Sequence, residues 1–345
     1  MNLTSIFTRS AQDVKLSTKE VVYLLNLEGE ELAELYKQAN IVRQNNMGDE
    51  VYLRGILEVS NYCKKSCNYC GIRSKTKNIT RYRMPKEEIL QACKDMEKNG
   101  MTTVVIQAGE DSFLSKDYIG EILQEIKKDT QLAITLSLGD QTKETLIHWK
   151  KCGMDRYLIR YESSDPLLFE KAHPDDDLIT RLAFIKTLQE LGIQAGSGFL
   201  IGMPSQKLEG LAKEILFCTS LNLDMIGIGP FIPHPDTPFG ETTNPFEKEV
   251  FFKVISIIRL LNPKAHIPST TAFDAIQTNG RNLLLQRGAN VFMPNATPQK
   301  YRKFYQLYPN KPCVDESGED CAKCVKGRII SIGRKIGTGK GHSIK

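Results

Sequence analysis

Arg54-Gly55-Ile56-Leu57-Glu58-Val59-Ser60 runs directly into Asn61-Tyr62-Cys63-Lys64-Lys65-Ser66-Cys67-Asn68-Tyr69-Cys70. With Leu53 in front, the first part reads as a strand, apolar and free of proline. The second part is polar and carries cysteines at the spacing C-x3-C-x2-C. A buried strand that ends in a chemically loaded loop is the opening of a βα unit.

The same alternation continues downstream. Further strand candidates are Thr103–Ala108, Ala133–Leu138, Arg156–Glu162, Gln194–Met203, Met225–Ile232, His266–Phe273 and Asn290–Asn295. Amphipathic helices separate them. Pro85 opens one with Ile89, Leu90, Cys93 and Met96 on its core face, ended by Gly100. Asp177 caps another, with Ile179, Leu182, Ile185 and Leu188 expected inward and Gly192 closing it. Eight strand–helix units in about 250 residues match an α/β fold of the (β/α)8 TIM-barrel type. A doubly wound open sheet is the alternative, weakened because no Gly-x-Gly-x-x-Gly follows the first strand. Upstream, Ser17-Thr18-Lys19-Glu20 reads as a capping box, and a second helical pattern runs from about Glu30 to Asn46. The expected organisation is an N-terminal helical extension over 1–50, a barrel over 51–310 and a tail over 311–345.

The chain has 345 residues, 41% hydrophobic and 25% charged, which excludes disorder and collagen. A net charge of +5 is too small at this length to argue for nucleic acid or a membrane surface as partner. Met1 to Ser10 lacks the apolar core of a signal peptide. Phe251 to Leu261, the most apolar stretch, is broken by Lys253 and Arg259 and falls short of the ~20 residues a span needs. A cytoplasmic location follows as the expectation, with thiols kept reduced. Nine cysteines cannot all pair internally. In that setting clustered cysteines point to metal binding or catalysis.

Three thiolates within Cys63–Cys70 suit a cubane iron–sulfur cluster with one iron left open. A structural zinc site would need a fourth ligand, and no second Cys or His pair lies nearby in sequence. The expected strand ends are polar or marked by Gly and Pro: Gln107-Ala108-Gly109-Glu110-Asp111, Ser137-Leu138-Gly139-Asp140, Glu162-Ser163, Gly202-Met203-Pro204 and Thr270-Thr271. Chemistry in a barrel sits at those ends.

This arrangement resembles the radical S-adenosylmethionine (SAM) superfamily. The resemblance implies a [4Fe–4S] cluster on Cys63, Cys67 and Cys70, and SAM chelating the open iron through its amino and carboxylate groups. Reductive cleavage of the C5′–S bond then gives a 5′-deoxyadenosyl radical. The resemblance also places Tyr69 in the cluster loop and Ala108-Gly109-Glu110 at the SAM amino group. Ser137, at the third strand end, is expected among the cofactor-binding residues, and Gly198-x-x-x-Gly202-Met203 lies along adenosine. Glu162 for the SAM ammonium and Arg181 for its carboxylate would be complementary, and a plain surface ion pair is the other reading of these two.

A narrower resemblance rests on Tyr69-Cys70-Gly71-Ile72-Arg73, Arg81-Tyr82-Arg83-Met84, Gly229-Pro230-Phe231-Ile232-Pro233-His234-Pro235, Ile267-Pro268-Ser269-Thr270-Thr271-Ala272 and Tyr305-Gln306-Leu307-Tyr308-Pro309. Together these are similar to the HydE family of [FeFe]-hydrogenase maturases, over about residues 15 to 325. That resemblance implies assembly of the diiron subcluster of the hydrogenase. The adenosyl radical would attack the cysteine sulfur of a small Fe(II) complex bearing CO, cyanide and cysteine, with C–S cleavage. An external electron donor and other hydrogenase maturation proteins are the implied partners.

Such a guest calls for cationic and hydroxyl donors. Arg156, Arg160 and Glu162 share one face at period two, and Thr135, Thr270 and Thr271 add hydroxyls. Tyr305 and Tyr308 either close the inner cavity or pack the last helix. Cys313, Cys321 and Cys324 match an auxiliary iron–sulfur cluster, [2Fe–2S] or [4Fe–4S], that varies among relatives; zinc accepts the same ligands. One departure stands out: Tyr161 occupies a position where many family members carry His. Rival readings are biotin synthase, disfavoured because strands three to five lack cysteine, methylornithine synthase, and a non-catalytic iron–sulfur carrier.

Overall fold

A computed structural model describes residues 2–12 and 14–345. The first strand, β1 (Glu50–Ser60), pairs in parallel with β2 (Thr103–Ala108), which pairs with β3 (Ala133–Ser137). Next come β4 (Arg156–Leu158), β5 (Gln194–Ser197, resuming at Leu200–Ile201) and β6 (Met225–Ile226, resuming at Gly229–Pro230). Then follow β7 (Pro268–Ser269) and β8 (Val291–Phe292), which returns to β1 at Tyr52 and Leu53. A single parallel bridge from Met225 to His266 joins β6 to the approach to β7. All eight staves are parallel, and helices cover the outside, so the fold is the expected TIM-type barrel.

The staves differ from their predicted extents for local reasons. The fifth and sixth are each split. Gly198, with φ +157, breaks the fifth, and a Cβ there would collide with the Gly227 carbonyl. Regular β4 ends at Leu158, yet Ile159 N and Tyr161 N still donate to Gly196 O and Gly198 O, and the chain turns away at Glu162, in the left-handed region at φ +64.

The helices follow their caps. Ser17 and Glu20 form the reciprocal capping box. Asp177 accepts from Thr180 N at the start of the helix Leu178–Glu190. That helix turns Arg181, Phe184, Ile185 and Leu188 inward, and Ile179, expected in the core, is 78% exposed. An additional helix, Leu3–Ala11, precedes the two expected ones.

The tail forms a helix (Gly318–Ser331) and then β9 (Lys335–Ile336), which pairs with β1 at Glu50 and Val51. Its continuation crosses the N-terminal end of the barrel. Thr102 Oγ1 donates to Gly339 O (2.8 Å), Arg156 Nη2 to Lys340 O (2.6 Å) and Arg54 Nη2 to Gly341 O (3.0 Å). Arg156 also donates to Thr103 Oγ1 and Gln194 Oε1. It begins β4 and so lies at the end of the barrel away from the loops. The substrate role expected from its strand face is corrected: Arg156 closes the barrel floor.

Candidate active site

The cysteine loop is pinned from several directions before any ligand is considered. Lys64 N donates to Glu110 O (2.9 Å), Asn68 N to Ala172 O (2.8 Å) and Gly71 N to Leu307 O (3.0 Å). Two basic side chains brace it from within. Arg73 Nη2 donates to Ser66 O (2.6 Å), and Arg81 Nη1 donates to Ile72 O (2.7 Å). Gly109 lets the second strand end approach, since a Cβ there would overlap Tyr62 O.

Cys63, Cys67 and Cys70 line one cavity of about 350 Å³ at the strand C-termini. Burial pushes all three thiols upward, Cys70 to about 12, and at Cys67 the neighbouring sulfurs add to it. Holding these groups as thiolates calls for a bound metal cation. Among the described residues, sets of three ligand side chains with donor atoms within 4.8 Å of one another occur at Cys313, Glu316 and Cys321 and at Glu110, Asp140 and Asp176. The loop cysteines do not form such a set.

The remaining walls bring together most of the expected residues. Tyr69, Ala108, Gly109, Glu110, Ser137, Arg160, Glu162, Arg181, Thr270, Thr271, Tyr305 and Tyr308 all line the cavity. Glu110 Oε2 and Glu162 Oε2 are buried without a hydrogen-bond partner. Lys64 and Lys65 reach only to 3.5 and 4.0 Å from Glu110. Burial raises both carboxyls above the ordinary carboxylate range. Two orphaned acceptors in one cavity suit an incoming ammonium group, and SAM carries one.

Glu162 and Arg181 do not pair. Arg160 Nη2 lies 3.0 Å from Glu162 Oε1, and Tyr69 Oη donates to the same oxygen at 3.2 Å. Arg181 instead holds Asp140 through Nε (3.1 Å) and Nη2 (3.0 Å), binds Asp176, and donates through Nη1 to Arg160 O (2.8 Å). Burial opposes its charge, yet Asp140 and Asp176 hold it above its ordinary range. Four of its five N–H groups are engaged. Asp176 lines the cavity and Asp140 backs Arg181; sequence reading held Asp140 only as part of a polar strand end and Asp176 not at all.

Several expected residues lie elsewhere. Thr135 is buried two residues below Ser137 on the same strand face and has an unpartnered hydroxyl, but does not reach the cavity. Met203 packs with Ala172, Leu200 and Phe231, behind the wall. Tyr161 points outward, its ring edge-on to Phe217 at 5.3 Å, so the His-to-Tyr departure does not touch the cavity. In the tail, Cys313 and Cys321 meet, but Cys324 is exposed and outside the group; Glu316 takes its place beside the two sulfurs. Cys93, Cys152 and Cys218 are buried, as expected.

His173, absent from the sequence expectations, lines the cavity beside Cys67 and Tyr69. A lone His before a proline carries no signal in sequence.

The Radical SAM superfamily model matches residues 57–218. At 45% identity over 307 residues, 88% of this chain and 86% of the relative, the chain is similar to the [FeFe] hydrogenase maturase subunit HydE of Thermotoga maritima. It is 31% identical to the 3-methylornithine synthase of Methanosarcina acetivorans over 80% of this chain and 79% of that protein. The crystal structure of methylornithine synthase superposes with a TM-score of 0.85 at 24% identity, covering 96% of this chain and 97% of that one, which establishes the fold. Radical SAM proteins use a [4Fe–4S] cluster and SAM. The chain belongs to the HydE family and is a radical SAM enzyme.

Proposed function

We propose that this enzyme matures [FeFe]-hydrogenase by radical chemistry on a small iron complex carrying CO, cyanide and cysteine, as a step in building the diiron subcluster. The observation that supports this most is the single cavity, about 350 Å³, whose wall carries both the three-thiol loop and a set of cationic and hydroxyl groups. Bound there, the cluster and SAM supply one electron and a 5′-deoxyadenosyl radical. The protein does the rest. Cys63, Cys67 and Cys70 hold the cluster. Glu110 and Glu162 accept from the SAM ammonium, and Asp140 and Asp176 are fixed beside them by Arg181. Arg160, Lys311, Thr270, Thr271, Tyr305 and Tyr308 face the substrate. Arg160 and Lys311 enter with carboxylate partners, Glu162 and Glu58, so the wall is close to neutral and offers hydrogen-bond donors to an anionic guest. The barrel walls exclude water from reactive carbon.

The working partners proposed are an external one-electron donor and other hydrogenase maturation proteins. No helix among the described residues is long and apolar enough to cross a membrane. In the tail, Cys313, Cys321 and Glu316 are proposed to hold an auxiliary metal centre.

The deciding experiment is complementation of an [FeFe]-hydrogenase strain lacking its own HydE-type maturase. Restored hydrogenase activity, lost again with Cys63→Ala, is the expected result. Failure to complement, from a protein that still releases 5′-deoxyadenosine with SAM and dithionite, overturns the maturation reading. The 31% identity to a 3-methylornithine synthase favours one second reading, synthesis of 3-methylornithine, which assay for that product tests directly.

A further inference from the structure

His173 sits at the end of the helix Pro166–Ala172, where Pro174 prevents continuation. Its ring is fixed on every side. Phe169 stacks on it at 4.7 Å with an interplanar angle of 23°, and Tyr69 meets it edge-on at 5.3 Å. Its backbone N–H donates to Phe169 O (2.8 Å). Only 3% of the residue is exposed. Nδ1 lies 3.3 Å from Cys67 Sγ, and Nε2 lies 3.4 Å from Tyr69 Oη. Its two ring nitrogens thus face one sulfur and one hydroxyl.

We propose that His173 is a positioning residue for the iron–sulfur cluster: its Nδ1–H donates to the Cys67 thiolate and raises the cluster's reduction potential. The proposal rests on the reading that Cys67 is a cluster ligand. A metal-bound thiolate sulfur has no proton and is an acceptor only. The proton of that contact therefore belongs on Nδ1, and Nε2 is an acceptor to which the Tyr69 hydroxyl, a donor to Glu162 Oε1 at 3.2 Å, can turn. An N–H donor withdraws electron density from a cluster sulfur and favours the reduced state, one of the recognised protein controls on such potentials. The geometry has a second effect. Tyr69 Oη also lies 3.2 Å from Glu162 Oε1, and one hydroxyl proton serves one acceptor well. With the Tyr69 proton turned to Nε2, Glu162 is left free to accept from SAM. One buried chain, Cys67–His173–Tyr69–Glu162, thus connects a cluster ligand to a SAM-facing carboxylate.

The test is the midpoint potential of the reconstituted full-length enzyme without SAM, followed by electron paramagnetic resonance. His173→Phe keeps the ring volume and removes the donor. The expected result is about a tenfold shift of the one-electron equilibrium toward the oxidised cluster, about 59 mV lower, at unchanged iron content. His173→Asn, whose amide N–H can reach the same sulfur, should recover part of it. Tyr69→Phe, which frees the tautomer, should give a smaller shift of the same sign and serves where His173→Phe fails to fold. An unchanged potential in a fully loaded His173→Phe, or in Tyr69→Phe where only that variant loads, overturns the proposal. If instead Cys67→Ala retains the full cluster, the ligand reading itself falls, and the proposal with it.

Discussion

Arg160 and Glu162 leave the backbone two residues apart and meet in the cavity, Nη2 to Oε1 at 3.0 Å. The meeting depends on the left-handed backbone at Glu162, which a non-glycine residue adopts at some cost and which is found disproportionately at working sites. Behind it, the buried Glu214 carboxylate accepts from Ser163 Oγ (2.8 Å) and holds the turn. Replacing Arg160 by Met strands a buried carboxylate. Arg160 keeps 30% of its side chain exposed, so the expected loss is about 2 kcal/mol, below the ~3–5 kcal/mol of a fully buried pair. A urea midpoint equal to that of the parent would show the pair to be idle.

The two cysteine sets should separate cleanly. Cys63→Ala should abolish 5′-deoxyadenosine release, and Cys321→Ala should leave most of it. Cys324→Ala should leave metal bound in the tail, because Cys324 is outside the ligand group, and Glu316→Ala should deplete it. Iron and zinc analysis of Cys63→Ala-background variants reads the tail alone. Metal lost equally from the Cys324 and Glu316 variants would contradict the assignment.

Gly139 has φ +76, and a Cβ on it would overlap Glu110 Cγ. Tyr157 Oη donates to Gly139 O at 2.6 Å, so the turn has little room to yield. Gly139→Ala should weaken SAM binding at least tenfold, about 1.4 kcal/mol, by displacing Glu110. Equilibrium binding of SAM to the loaded protein measures this, and Gly327→Ala, where open space surrounds the position, is the control.

Arg156→Met should cost about 1–2 kcal/mol of stability by removing its bonds to the Lys340 carbonyl and Thr103 Oγ1, which keep only each other at 3.2 Å, and should leave the KM for substrate unchanged. A raised KM at unchanged thermal midpoint would return Arg156 to the substrate.

His266 lies on the barrel floor. Asn290 contacts its Nδ1, the His342 carbonyl its Nε2 and Tyr52 its ring edge, with Arg54, Arg156 and Arg259 as nearby charges. Burial and then Arg54 hold its imidazole well below the ordinary 6.5. The unfolded chain takes up a proton near pH 6.5 and the folded one does not. Stability therefore falls as the pH drops below about 6.5, by up to ~1.4 kcal/mol per unit for this one group. His266→Asn should flatten the dependence of the denaturation midpoint between pH 6.5 and 5. An unaltered slope would mean that His266 is protonated in the fold.

The barrel was legible because eight apolar runs alternate with capped helices, and the cluster loop because three thiols in a polar stretch have few other uses. What failed to show was depth. Period-two alternation tells which face Arg156 shares with Arg160, but not that one starts the stave and the other follows its end. Thr135 and Ser137 differ in the same way. Helical spacing also misled: Cys321 and Cys324 lie three apart, yet only Cys321 turns to Cys313, and Ile179 faces solvent from the first turn of its helix. Met203 matched a motif by position and was drawn into the core by Leu200 and Phe231. Long-range partners such as Asp140, Asp176 and His173 become visible only when separate loops meet.

Residues 339–343 across the floor carry a kinetic consequence. With that end covered, traffic passes through the face that bears the cysteine loop. Ile56, which lines the cavity, is four residues below Ser60, roughly 13 Å along the strand. If SAM is held at Glu110 and Glu162 as proposed, a substrate bound that deep has to pass the SAM site. Substrate added before SAM should therefore turn over faster than substrate added after it, which order-of-addition kinetics on the loaded protein measure.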